Sequence, residues 1–137
     1  MPFQLEVQAA EGIVRATATG HIQFEDIHQH MARVRQAGAA RLPELIDVTR
    51  ADSVAFTMRD LLSLAAHAYA EFGGGFMAPR AIVVGSRRHF EWARIFAALV
   101  AGWMSVGVFT ERREAMLWLE HRTAEANEPA ARRIAVG

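Results

Sequence analysis

The chain has 137 residues, a formal net charge of zero, 15 arginines, no lysine and no cysteine. Hydrophobic residues make up 52% and charged residues 22%, which are ordinary globular values and exclude a largely disordered chain. General nucleic-acid binding is disfavoured because it needs an excess of cations facing the phosphates. The absence of cysteine excludes disulfides, thiolate zinc sites and thiol catalysis.

The sequence also lacks the usual targeting signals. Residues 1–6 have neither the basic start nor the apolar run of a signal peptide. The longest apolar candidate, at residues 95–104, falls well short of the roughly 18 residues of a membrane span. We therefore expect a soluble cytoplasmic protein without a membrane span.

The first predicted elements are a hairpin and a helix. Residues 3–7 alternate apolar and polar, Glu11–Gly12 makes a turn, and residues 13–19 form a second strand, so the pair is expected to be antiparallel. Residues 24–34 then have helical spacing, and Gly38 is placed to end that helix.

Strands and helices then alternate. They are predicted at 44–48 (strand), from Thr57 to the glycines at 73–75 (helix), 81–85 (strand), 87–103 (helix), 106–109 (strand) and 111–122 (helix). Thr57 with Asp60 is a variant of the capping box, and Ser86 can cap the next helix. The order predicts one α/β domain over residues 1–122. It has a mixed sheet of four or five strands, an N-terminal hairpin and about four helices. Residues 123–137 are expected to be a loosely ordered tail.

Two segments resemble a known family. Residues 93–99 read Ala-Arg-Ile-Phe-Ala-Ala-Leu, and residues 108–119 run from Val-Phe into a helix containing Glu-Ala-Met-Leu-Trp-Leu. Both are similar to segments of the SpoIIAA-like proteins of the STAS superfamily, and the resemblance covers most of residues 3–122. It implies a STAS-like fold and a small non-catalytic regulatory or ligand-binding domain. STAS relatives act as anti-sigma-factor antagonists or as cytoplasmic modules of anion transporters, and this subgroup is likened to lipid-binding SEC14 domains.

The resemblance also implies a position for a phospho-acceptor. Anti-sigma antagonists carry a serine there, within an Asp-Ser-Ser-Gly-Leu motif after the third strand. Counting from Asp47 places Thr57 at that position, although residues 55–59 keep none of the other motif residues. Asp52–Ser53 matches a fragment of the motif but lies too early. Thr57 is therefore either a phospho-acceptor or a helix cap.

Polar residues collect where ligands of open α/β sheets bind, beyond the carboxyl ends of the strands. We expect a ligand- or partner-binding rim formed by Asp47, Asp52, Ser53, Thr57, Ser86, Arg87 and Arg88. The aspartates, together with Asp60, could do acid–base work or hold a cation, or they could cap helices and make turns. Ser86 and the arginines that follow suit a small anion, or they are a cap with solvated side chains.

The histidines give no metal-binding pattern. His28 and His30 lie about 200° apart on a helix, so they do not converge on one ion, and both are expected to be solvated. The other four are scattered singly over separate elements. We expect no metal and no cofactor.

The helix predicted at 87–103 carries more large apolar area than one buried stripe needs. Either it is packed on both sides, or its outer side forms a homodimer contact or an apolar pocket. The residues assigned to that contact or pocket are Phe76, Phe90, Trp103 and Met104.

The sequence therefore favours a non-catalytic regulatory or ligand-sensing domain that acts by protein–protein interaction, as a homodimer. One alternative is a carrier of a small apolar or lipid-like ligand, and another is a small enzyme using Asp47 and Asp52. An apolar pocket of about 300 Å³ or more would favour the carrier. An exposed Thr57 would favour the regulatory domain, and convergent carboxylates with shifted pKa values would favour the enzyme.

Overall fold

A computed structural model describes residues 3–8, 11–54, 56–73 and 77–126. The strands are β1 (Phe3–Gln8), β2 (Ile13–Ile22), β3 (Glu44–Val54), β4 (Arg80–Val83) and β5 (Val106–Phe109). The α-helices are α1 (Phe24–Gln36), α2 (Met58–Phe72), α3 (Arg87–Val100) and α4 (Arg112–Ala126). A short 3₁₀ turn at Ala39–Arg41 precedes β3. No helix in these ranges is long and apolar enough to cross a membrane.

The five strands form one mixed sheet in the order β1-β2-β3-β4-β5. β1 pairs antiparallel with β2, and the other neighbours are parallel. The parallel register aligns Ile46 with Ile82 and Ile82 with Val108. The predicted α/β class, the N-terminal hairpin and the mixed sheet are thus confirmed.

The predicted element ends were less accurate. β3 was expected to stop at residue 48, but it continues to Val54 because its last residues pair with an extended β2, for example Val54 with Ile22. Polar residues fill that stretch, so no apolar pattern marks it. α3 ends at Val100, whose carbonyl accepts hydrogen bonds from the Trp103 and Met104 amides in a closing turn.

The predicted helix caps are confirmed. The Thr57 side chain accepts a hydrogen bond from the Asp60 amide (3.1 Å), and the Asp60 carboxylate accepts one from the Thr57 amide (2.9 Å). Ser86 caps α3 in the same way through the His89 amide (3.1 Å). Gly38, just beyond α1, has a φ of 67°, a left-handed conformation that favours glycine.

Helices cover both faces of the sheet. α1, α2 and α3 lie on one face, and α4 lies on the other. β4 contributes side chains to both faces: Val83 packs in the cluster with α4, and Ile82 is half-buried on the face that α1–α3 cover.

Candidate functional site

The core between the sheet and α1–α3 contains a cavity of about 150 Å³ that is partly open to solvent. Its walls are almost entirely apolar. Its aromatic and thioether side chains are Phe3, Met31, Phe56, Phe72, Met77, Trp92, Phe96 and Met104. These rings and thioethers come from β1, α1, α2, α3 and the connecting segments, so the cavity is a feature of the whole face rather than of one loop.

An apolar space of this size leaves the side chains that line it without contacts on one side. Apolar cavities of about this size stay dry and admit molecules such as benzene. The cavity is smaller than the roughly 300 Å³ expected of a carrier pocket.

The α3 wall is the least completely packed. Trp92, Ala93 and Phe96 line the cavity, yet each is only half-buried. In α3 itself only Val100 is buried. The lining residues of α2, in contrast, are all buried.

Where β3 and β4 begin, the wall of the cavity includes three buried polar side chains, His30, Glu44 and Arg80, which we call the trio. The Glu44 carboxylate lies 3.0 Å from Nε2 of His30 and 3.6 Å from Nε of Arg80. None of the three residues is more than 5% exposed. Burial lowers the pKa of Arg80, whereas the Glu44 charge raises it. The negative charge of Glu44 therefore offsets part of the cost of burying the positive charge of Arg80.

The trio and its hydrogen bonds connect four elements of the fold. Arg80 donates hydrogen bonds to the Ala39 carbonyl (3.1 Å) and to the Leu42 carbonyl. Because a carboxylate only accepts, His30 must donate to Glu44 from Nε2. The network links α1, the 3₁₀ turn, β3 and β4, so it stabilises the amino end of the sheet.

The expectation that His30 is solvated was wrong. His30 is 5% exposed and stacks on Phe3 with the ring centroids 4.8 Å apart. It lies three residues after Ile27 and four before Val34, which places it on the buried side of α1. That spacing was visible in the sequence. The pairing of Glu44 with Arg80 was not visible there, because the predicted strand began at residue 81, one residue after Arg80, and only the structure pairs the first residues of β3 and β4.

The rim aspartates lie in different environments. Asp47 accepts hydrogen bonds from the amide (2.9 Å) and hydroxyl (2.6 Å) of Thr49, and it lies 4.0 Å from Nη1 of Arg112 at the start of α4. Asp60 caps α2, and Asp52 is exposed. Within the described ranges, no three His, Asp or Glu side chains form a group that could hold a metal ion.

The remaining rim residues are placed as follows. Ser53 pairs with His21 in the β2–β3 register. Arg87 and Arg88 are exposed at the start of α3, and Nε of Arg87 lies 3.6 Å from Glu91. Ser86 is occupied by capping.

The outer side of α2 is apolar and exposed. Met58, Leu62 and Tyr69 are 50%, 52% and 59% exposed, and we call these three residues the α2 stripe. They follow directly from Thr57, which is itself exposed. The sequence reasoning did not single out this stripe, although the spacing of its first two residues, i and i+4, puts them on one side of a helix.

The residues expected at a dimer contact or apolar pocket lie in different environments. Met104 is 6% exposed and lines the cavity. Trp103 is half-buried and packs edge-to-face on Tyr69, with ring centroids 5.5 Å apart. Phe90 is half-buried beside Arg94, whose guanidinium lies 5.8 Å from the ring. Phe76 lies outside the described residues.

Comparison with known proteins identifies the fold. No family model and no curated protein matches the chain. A Shewanella loihica PV-4 protein of the DUF3478 family, with a SpoIIAA-like fold, is 23% identical, with a TM-score of 0.52 over 85% of this chain and 91% of that one. An anti-sigma factor antagonist from Mycobacterium paratuberculosis is 13% identical, with a TM-score of 0.56 over 86% and 94% of the two chains. The anti-sigma factor antagonist SpoIIAA in its unphosphorylated form is also 13% identical, with a TM-score of 0.50 over 84% and 94%.

At these identities the likeness is one of fold. The chain is an α/β protein with a SpoIIAA-like fold, as its sequence predicted.

Proposed function

We propose that this chain is a non-catalytic regulatory domain that binds a partner protein through the outer side of α2. The observation that carries the proposal is the exposed α2 stripe, which begins beside the exposed Thr57. The similarity in fold to two anti-sigma factor antagonists supports a regulatory role.

The stripe is unusual because α2 already buries its other side. Leu61, Leu64 and Ala68 are at most 2% exposed and face the core. A helix that packs on one side normally presents polar residues on the other. Large apolar side chains on the outer side therefore indicate a surface that another molecule covers.

The apolar surface continues onto α3. Tyr69 contacts Trp103, and Leu99, four residues before Trp103, is 38% exposed. Aromatic and methionine side chains are enriched in protein interfaces, and this surface carries Met58, Tyr69 and Trp103. A second copy of this chain is the first partner to test, since two-fold dimers are the commonest oligomers.

Thr57 is the candidate regulatory position within this surface. A phosphate on its hydroxyl would lie near the Asp60 carboxylate, which now accepts from the Thr57 amide. A phosphate there would be repelled by that carboxylate and attracted by the free amides of the first turn. Phosphorylation would therefore change the charge of the surface at the start of α2, beside Met58.

The alternatives have less support. A lipid-like ligand needs more room than 150 Å³ provides. An enzyme would need Asp47 and Asp52 to converge, but Asp47 is held by Thr49 while Asp52 is exposed. Ser86 and the arginines after it remain the position to test for small anions, but no second observation supports binding there.

The proposal is tested by replacing Leu62 with a photo-crosslinking amino acid in the cells that make the protein. Leu117, which is 57% exposed on α4, provides the matched control position. We expect one discrete adduct from position 62 and none of the same mass from position 117. The adduct protein, once identified and purified, should bind the wild-type chain and lose most of its affinity for Leu62→Glu. Equal crosslinking from both positions, or equal binding of wild type and variant, would contradict the proposal.

A further inference from the structure

We propose that the cavity between the sheet and α1–α3 is a binding site for one small, uncharged aromatic molecule. This inference does not depend on the partner surface of α2, because it rests on the interior of the protein. Three properties of the cavity carry it: its volume, the chemistry of its walls and its partial opening.

The volume limits the size of the ligand. An apolar cavity of about 150 Å³ accommodates a molecule the size of benzene, so we infer a ligand of about six to eight non-hydrogen atoms. Long acyl chains are excluded on the same ground. The cavity is partly open, which supplies a route from solvent.

The walls indicate an aromatic ligand. Five aromatic rings and three methionine thioethers line a space that would hold only one further ring. Ring pairs gain energy from offset or edge-to-face contacts beyond simple burial, and thioethers contact ring edges favourably. Methionine side chains also adapt to irregular shapes, which allows closure around a flat molecule.

The charged residues at the cavity favour an uncharged ligand. Glu44 and Arg80 already pair with each other, and Arg80 donates to two backbone carbonyls. Neither charge needs a further partner, and an ionised group without a partner is very costly to bury. The ligand is expected to be uncharged.

Isothermal titration calorimetry of the wild-type chain with benzene, cyclohexane and benzoate tests the proposal. We expect one benzene per chain, bound about two- to tenfold more tightly than cyclohexane, and no binding of benzoate. Cyclohexane is the more hydrophobic of the two rings, so this order cannot come from hydrophobicity alone. Cyclohexane binding as tightly as benzene would overturn the aromatic assignment. Benzoate binding as tightly as benzene would overturn the inference that the ligand is uncharged. No binding of any probe would overturn the site.

A matched pair of variants locates the bound molecule. Ala93 lines the cavity and Ala98 is exposed on the same helix, so Ala93→Leu fills the space and Ala98→Leu does not. Ala93→Leu should weaken benzene binding about tenfold or more, because the leucine occupies part of the cavity. Ala98→Leu should leave it unchanged. Equal effects of the two substitutions would place binding elsewhere and overturn the proposal.

A second variant covers the case in which Ala93→Leu does not fold. Phe96→Leu keeps the wall apolar but removes one ring. It should bind cyclohexane at least as well as the wild type does, and its preference for benzene should shrink towards one. An unchanged preference would show that the rings do not select the ligand.

Discussion

The two faces of the sheet are filled in different ways. Beneath α4, Ala115 and Leu119 pack on Leu45 and Val83, and none of the four is more than 2% exposed. Beneath α1–α3, larger side chains surround about 150 Å³ of unfilled space. Close packing is the ordinary state of a protein interior, so the face that retains unfilled space is the unusual one.

The helices on the two faces also differ in what they contact. α4 covers its face alone, whereas α2 contributes a wall to the cavity and also displays the exposed α2 stripe. The proposed partner surface and the proposed interior site therefore share one helix, and the substitutions below separate the contribution of each face.

The largest expected effect is on the closely packed face. Val83→Asp places a charge without a partner beneath α4, where Val83 is 2% exposed. Burying such a charge costs more free energy than the total stability of a typical domain, so the variant should be unfolded. Circular dichroism during heating measures this directly, and a cooperative melt would contradict the architecture.

The next largest effect is at the buried trio. Glu44→Gln removes the charge that balances Arg80, and breaking a buried pair in this way costs about 3 to 5 kcal/mol. The matched control is Glu25→Gln, whose exposed carboxylate lies 3.6 Å from His28. The control should change the free energy of unfolding by less than about 0.5 kcal/mol. Urea titrations in which both variants lose the same stability would contradict the structural role of the trio.

Replacing one buried alanine on each face with leucine compares the two faces most sharply, because the two changes in stability are expected to differ in sign. Ala115 and Ala68 are both helical and both fully buried, but only Ala68 lines the cavity. Ala115→Leu should destabilise the protein by about 1 to 3 kcal/mol, because the α4 face has no room. Ala68→Leu should be neutral or stabilising, because the side chain extends into existing space. Equal losses in urea titrations would show that the two faces are packed alike.

The smallest effect concerns the start of α2. Thr57→Ala should cost about 1 kcal/mol of stability through the lost cap, and Thr57→Ser much less, since serine keeps the hydroxyl. Thermal melts of the three proteins measure this order. Phosphate found on Thr57 in protein isolated from its source would show that the residue has a regulatory role as well.

The fold was predictable because its signals are local and repeated. Apolar spacing and caps such as Thr57 and Ser86 identified every strand and helix, and the element order predicted the mixed sheet. The end of β3 was missed because its pairing with β2, rather than its own composition, extends it to Val54.

The candidate site was less predictable. Met104 was assigned to a contact or pocket, and it lines the cavity. The cavity itself was not predictable, because it is the space left between side chains that are far apart in the sequence, and no local pattern indicates such a space. The burial of His30 was missed because His30 was considered only together with His28, whereas its spacing from Ile27 and Val34 places it on the buried side of α1.

Native mass spectrometry of the protein purified from its own source tests the regulatory account most directly. The account predicts a wild-type species heavier than the 15.2 kDa chain, containing a second copy or another protein. It also predicts that Leu62→Glu, which places a charge in the α2 stripe, is found as the monomer. A wild-type protein present only as a 15.2 kDa monomer, or a Leu62→Glu variant that keeps the partner, would contradict it.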